Sequence, residues 1–400
     1  MSGISNRDLF LSHVAQTSPE PIGLEIVRAG GIYQYGADGK KYLDLISGFS
    51  VCNIGHSHPK VVEAVQKQAE QYMHLIVYGE FVETPQVAYA KLLTANLPAS
   101  LNCVYFTNSG TEATEGAMKL AKRVTGRSKI IAFNKSYHGS TQGALSLMGD
   151  EYWRNAFRPL LPDVWHHDYG SWEVINAIDA TTACVILETV QAESGVNRPP
   201  AGWLEAIRQK CNEAGALMVL DEIQAGFGRT GTLWAFEQYG VAPDILLLGK
   251  ALGGGMPLGA FIASHALMNQ LTYNPVLGHI TTFGGHPVSC AAGKAALEVL
   301  LKGAYINELK HKEDIIKQHL THTAIKTLTA AGLWAGVAFN SFDTNKKIIH
   351  RCIEKGLITD WFLFAPQSLR FAPPLIITDD ELVWACEKVV EAVEEICRVN

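Results

Sequence analysis

Asp221 closes the apolar run "ALMVLDEI", and Lys250, 29 positions later, closes "DILLLGK". Both runs are apolar at nearly every position, which predicts strands buried on both faces of a parallel sheet. A charge at such a place needs a partner. The carboxyl ends of parallel strands are also where open α/β sheets gather their ligand chemistry. One reading is a structural ion pair. The other is catalytic: a lysine in a desolvated cleft becomes a nucleophilic amine that forms Schiff bases, and pyridoxal phosphate chemistry uses such a lysine with a carboxylate opposite the pyridinium nitrogen.

That cofactor also needs a phosphate cradle and a flat stacking surface. In "FTNSGTEATEGAMKLAK", Ser109, Gly110 and Thr111 open a helix directly after a strand, so free amides and the helix dipole can meet a dianion. An ordinary serine N-cap has the same appearance. In "KSYHGST", Tyr137 offers a ring near the end of another strand, as a core tyrosine would.

A competing motif lies beside Asp221. "DEIQAGFGRTG" contains Gly226, Gly228 and Gly231 in the spacing of a dinucleotide fingerprint. Such a fingerprint requires a long helix opening at its third glycine and an acid at the end of the next strand. Here only "TLWAFEQYG" follows, and Asp244 precedes the next strand instead of ending it. The motif therefore predicts a tight turn. Asp244 also stands where the first glycine of a phosphate-binding P-loop would have to be, which excludes that reading of the stretch around Lys250.

The surrounding elements alternate. "CVYFTNS", a helix over 111–125, "KIIAFNKS", "ACVILETV", a helix over 202–213, "ALMVLDEI", "DILLLGK" and "AFIAS" predict an α/β fold with a mostly parallel central sheet flanked by helices. After Gly285 the pattern becomes α+β, with helices predicted over 287–301, 306–320 and 379–397. A short strand pair turning at Asp38 and Gly39 is expected to pack against this second unit. The division expected is an N-terminal segment 1–53, a large domain 54–286 and a small domain 287–400.

With 33 basic against 39 acidic residues, a net charge of −6 and no run of lysine or arginine, the chain is not expected to bind nucleic acid. The eight cysteines form no C-x-x-C pair, so no metal site is expected. The N-terminus lacks the apolar run of a signal peptide, and no stretch is apolar enough to span a membrane, which predicts a cytoplasmic enzyme.

The motifs "FTNSGTEATEGAMKLAK", "YHGST", "DEIQAGFGRTG", "PDILLLGKALGGGMPLGA" and "TTFGGHPVSCAA" together resemble, in order and over nearly the whole chain, the class III (subgroup II) aminotransferases of fold type I, the ornithine, acetylornithine and 4-aminobutyrate aminotransferase group. The resemblance implies pyridoxal 5'-phosphate held by Lys250 as a Schiff base, with Asp221 on the ring nitrogen and Gln224 on the ring hydroxyl. It implies Tyr137 as the stacking ring, His138 beside it, and Ser109, Gly110 and Thr111 on the phosphate. Thr282 would reach the phosphate across the interface of a homodimer with shared active sites. Arg370 would clamp an α-carboxylate and Glu193 would neutralise it when an ω-amine donor enters. The activity implied is transfer of an ω-amino group to 2-oxoglutarate or a related oxo acid. An aminomutase, a decarboxylase and a transaminase for diamines share the same surroundings of the ring. Three places depart from the pattern: Glu188 to Glu193 reads Glu-Thr-Val-Gln-Ala-Glu where the family has Glu-Pro-[Ile/Val]-Gln-Gly-Glu, which keeps the acid, Ser140 stands where many of these enzymes have arginine, and Phe49 where ornithine enzymes carry tyrosine.

Overall fold

The protein is described by a computed structural model covering residues 5–398; the ends of the first and last expected segments, 1–4 and 399–400, lie outside the described residues. Its central sheet has seven strands, in the spatial order Cys103–Thr107, Gly259–Ala263, Ile245–Leu248, Leu217–Asp221, Thr182–Glu188, Lys129–Phe133 and Val164–His167. The last five of these run parallel. Thr182–Glu188 is buried at every position, as continuous apolar character requires of a strand covered on both faces.

The run "AFIAS" differs from its neighbours in direction. Gly259–Ala263 pairs antiparallel with both Cys103–Thr107 and Ile245–Leu248. The reason is the connection before it: residues 249–258, which hold no helix beyond the short 3₁₀ turn Lys250–Gly253, separate it from the preceding strand. A parallel return would need a full crossover of a dozen or more residues.

The helix Gly110–Thr125 follows the first strand of the sheet. Ser109 caps it by accepting from the Glu112 N–H, Gly126 ends it at φ 67°, and Ala113, Ala117, Leu120 and Ala121 form its buried face at helical spacing. Its N-terminus consequently points at the carboxyl ends of the strands. The glycine-rich turn after Asp221 opens no long helix; the next element is the 3₁₀ segment Ala235–Tyr239.

Towards the C-terminus a four-stranded antiparallel sheet carries the strands Thr327–Ala330, Ala335–Ala338, Ala365–Phe371 and Trp361–Phe362. The N-terminal strands Ile26–Gly30, Tyr33–Gly36 and Lys41–Asp44 form a separate sheet, which Leu357–Ile358 joins by pairing parallel with Lys41–Asp44. Arg229, fully buried, ties these parts to the large sheet. Its Nη1 donates to the carbonyls of Leu333 (2.8 Å) and Pro373 (2.7 Å), and its Nη2 to Asn53 Oδ1 (2.6 Å). A buried cation without such acceptors would be strongly destabilising, so the contacts fix the segment around Asn53 and the strand of Arg370 relative to the central sheet. No described helix is long and apolar enough to cross a membrane.

Candidate active site

The neighbouring strands Leu217–Asp221 and Ile245–Leu248 bring Asp221 and Lys250 to one end of the sheet. Lys250 stands two residues past its strand, in the turn that follows it, at φ 50°. The two are not paired with each other. Asp221 Oδ2 meets His138 Nδ1 at 2.6 Å and its Oδ1 accepts the Ile223 N–H at 2.9 Å. Burial opposes protonation of His138, but the bond to Asp221 and the Asp221 charge outweigh it and raise the His138 pKa. Lys250 Nζ donates to Gln224 Oε1 at 2.8 Å. Burial holds its amine below the usual lysine range, with Glu193 and Asp221 acting the other way.

These residues line a cavity of about 490 Å³ together with Ser109, Gly110, Thr111, Tyr137 and Glu188. The first N–H groups of a helix have no intrahelical partner, so the Gly110–Thr125 terminus presents donors to the cavity. Gly139 is required beside it: at φ 129° a side chain would strain the backbone, and a Cβ would lie 2.3 Å from Thr111 Cβ. Tyr137 is fixed by its N–H, which donates to Glu188 Oε1 at 3.1 Å, and by its hydroxyl, which lies 2.9 Å from Ser140 Oγ. Burial pushes the Glu188 carboxyl up to about 7, a shift that Asp221 reinforces.

A second chamber of about 980 Å³ shares Tyr137, Ser140, Glu193 and Lys250 with the first, and continues outward along Phe49, Leu145, Met148, Trp153, Phe157 and Leu363. Arg370 lies behind Glu193, 1% exposed, and lines neither cavity. Its Nη1 and Nη2 donate to Glu193 Oε1 and Oε2, each at 3.0 Å, and its Nε donates to Asp360 Oδ1 at 2.8 Å. Burial alone would raise the Glu193 pKa; the Arg370 charge outweighs it and holds the carboxyl low. Phe49, 45% exposed, faces the same guanidinium from 5.0 Å. It belongs to four successive residues, Ser47 to Ser50, in the left-handed region, a strained arrangement that persists only where the surroundings impose it. Thr282 is exposed and outside both cavities of its own chain.

The pattern of the aminotransferase class-III family matches residues 14–393, nearly the entire chain. The chain is a class III aminotransferase. It is 38% identical over 385 residues to the acetylornithine aminotransferase of Methanopyrus kandleri, covering 95% of this chain and 96% of that one. The corresponding enzyme of Bacillus subtilis is 36% identical over 383 residues, with 94% and 97% covered. The ornithine aminotransferase of Toxoplasma gondii has the same fold, with a TM-score of 0.90 at 28% identity over 99% of this chain and 96% of that structure.

The cofactor of this aminotransferase family is pyridoxal phosphate, and the cavity suits it. Its one end offers helix N-terminal amides for a phosphate, and Asp221 supplies the anion for a protonated ring nitrogen. Gln224 Nε2 is buried without a partner, a donor available to a ring hydroxyl. The protein is thus a pyridoxal-phosphate-dependent transaminase of fold type I.

Of the residues singled out in the sequence, eight of those assigned to the cofactor, Lys250, Asp221, Gln224, Tyr137, His138, Ser109, Gly110 and Thr111, come together around the first cavity. Asp360 and Leu363 were not singled out. Both sit on the turn of the strand pair Trp361–Phe362 and Ala365–Phe371 or just before it, where no local pattern distinguishes a residue facing a cavity from one facing solvent. The Asp221 contact of His138 was likewise invisible, although its place in "YHGST" marked the segment.

Proposed function

We propose that this aminotransferase moves the ω-amino group of an aliphatic donor of the ornithine, acetylornithine or 4-aminobutyrate kind to 2-oxoglutarate or a related oxo acid. The observation that carries this reading is the two-pronged pair between Glu193, at the cavity wall, and Arg370 behind it. A guanidinium held end-on by a carboxylate is a preformed carboxylate site. With Glu193 on it, the fork is neutralised and the site accepts a donor that enters amine-first. With Glu193 displaced, the same fork receives the α-carboxylate of the oxo acid. The names of the relatives support a donor of this kind.

Bound in the first cavity, pyridoxal phosphate supplies the electron sink that stabilises the charge left when a substrate carbon loses its proton. The chain's own residues do the rest. Asp221 would favour positive charge at the ring nitrogen, and His138 and the Ile223 N–H keep the carboxylate from turning away. Lys250 would hold the cofactor, and its amine, kept below the usual lysine range by burial, would be the group placed to take up and return a proton. Gln224 positions that amine. Tyr137 and the apolar wall of Val190, Ile223 and Ala225 keep the ring out of water.

The reading includes a homodimer with Thr282 reaching into the partner's site. Val276, Leu277, Ile280 and Phe283 are exposed on one segment, Leu75, Ile76, Phe81 and Val82 on another, and the His74 and Phe283 rings join the two at 4.7 Å. So continuous an apolar surface suits a second copy of the chain. A cytoplasmic location belongs to the same reading, supported by eight unpaired cysteines.

Single-turnover rates of the two half-reactions test the clamp. Arg370→Lys cannot make the planar two-pronged contact, so the oxo-acid half-reaction should slow by about a hundredfold while the ω-amine half-reaction stays within about threefold. Glu193→Ala should act in the opposite sense, leaving the fork open to glutamate and slowing the ω-amine donor by about tenfold. Equal losses in both halves would mean that the pair is structural.

Ser140 gives a second test. It lines both cavities, its hydroxyl 2.9 Å from that of Tyr137, and offers no charge to a donor's distal carboxylate. Ser140→Arg should lower the KM of a carboxylate-bearing donor by up to about fivefold, the worth of one exposed ion pair of ~1 kcal/mol, and leave a diamine unimproved. Equal gains for both donors would show that the distal carboxylate does not lie at residue 140.

A further inference from the structure

Arg370 has two carboxylate partners, and only one of them belongs to the clamp just described. Asp360 accepts from Nε at 2.8 Å, on the edge of the guanidinium away from the Glu193 fork. The Trp361 carbonyl accepts from Nη2 at 3.2 Å, and the Phe362 ring lies 4.3 Å from the guanidinium carbon. The Arg370 N–H also donates to the Asp360 carbonyl at 2.9 Å, so backbone and side chain of residue 360 grip one arginine. On the other side the strand turn holds Glu193: the Leu363 N–H donates to Glu193 Oε2 at 3.0 Å and the Phe364 N–H to the Glu193 carbonyl at 2.9 Å.

We propose that Asp360 is a positioning residue, which pins the Nε edge of Arg370 so that its Nη fork stays aimed at the chamber after Glu193 has moved aside. The inference rests on Arg370 receiving the oxo acid, as proposed above. When Glu193 leaves, a buried guanidinium without Asp360 would keep a single hydrogen-bond acceptor, the Trp361 carbonyl, and would turn to follow Glu193. With Asp360 it keeps two, and the vacated position is filled by the incoming carboxylate at fixed geometry, which is the advantage of preorganisation.

Asp360 also sets how strongly the fork attracts an anion. Oxo-acid binding brings a carboxylate out of water while Glu193 only steps aside, so the site gains one negative charge, which an ionised Asp360 opposes. The charged groups facing Asp360 are Arg370 on its own strand pair, Glu193 on the loop after Thr182–Glu188, and Asp44 on the N-terminal sheet, itself 2.7 Å from His56. Burial raises the Asp360 carboxyl to about 6; Arg370 opposes the rise, and Glu193 and Asp44 add to it. The opposition is therefore present above pH 6 and is lost as pH falls below it.

Two variants separate position from charge. Asp360→Ala removes the anchor and should raise the KM for 2-oxoglutarate about tenfold, with the ω-amine half-reaction within about twofold. Asp360→Asn keeps an oxygen for Nε and removes the charge. It should restore the oxo-acid KM and carry it about two- to fivefold below wild type at pH 8, an advantage that disappears at pH 5.5. A merely structural aspartate would lower the melting temperature in both variants without splitting the two half-reactions. Equal KM values for the Ala and Asn variants, or an Asn advantage that persists at pH 5.5, would overturn the proposal. Arg370→Lys measured in parallel distinguishes the two levels of the argument. If it leaves the oxo-acid half-reaction unchanged, the clamp itself fails; if it slows that half and Asp360→Ala does not, only the role of Asp360 fails.

Discussion

Lys250→Ala should abolish transamination, lowering kcat by more than about ten-thousandfold, while the protein folds normally. Loss of a positioned general base alone is worth up to about 10⁴-fold, and here the same amine also holds the cofactor. Stability should barely change, because the Lys250 amine makes one hydrogen bond, to Gln224, and its desolvation already disfavours the charged form. The site can be checked without turnover. Borohydride treatment of the wild-type holoenzyme followed by peptide mass mapping should place the reduced cofactor on the peptide carrying Lys250, and the variant should take no label. A label on any other lysine, or a variant retaining more than about one hundredth of the activity, would move the chemistry elsewhere.

Asp221→Asn is expected to cost about a thousandfold in kcat/KM, roughly 4 kcal/mol of transition-state stabilisation, with the fold and cofactor content retained. The substituted amide still offers an oxygen to the Ile223 N–H, so the backbone after the strand has no reason to move. What it cannot do is hold positive charge on the ring nitrogen. His138 is affected as well, since the bond to Asp221 and the Asp221 charge raise its pKa against the effect of burial; the His138 pKa should therefore fall in the variant, which proton NMR of the histidine ring can follow. A loss smaller than about tenfold would show that the carboxylate is a structural partner of His138 and nothing more.

Much of the site is local in the chain and so was legible without the fold. The apolar runs ending near Asp221 and Lys250, the serine N-cap before Gly110–Thr125 and the sheet that joins them follow from side-chain period and capping, which act over a few residues. The failed dinucleotide motif is of the same kind, because the absence of a helix after Gly231 is itself written in a short stretch. The fold class and the family required nothing more than these motifs in order.

What only the tertiary structure decided involves residues far apart in the chain. Asp221 takes His138, 83 positions away, and not Lys250; Glu193 meets Arg370 across 177 positions. Polar partners of this kind are chosen by which side chains are desolvated together, a property of the packed core that no window of sequence contains. The direction of Gly259–Ala263 was lost for a related reason, since a strand's period is the same in either direction and the short connection before it forbids a crossover. Asp360 is the clearest case. Ten residues from Arg370, it carries no local mark that separates it from a solvent-facing aspartate, and it became the second anchor of the guanidinium only because the strand turn 361–371 folds back against Glu193 and closes the two carboxylates around one buried cation.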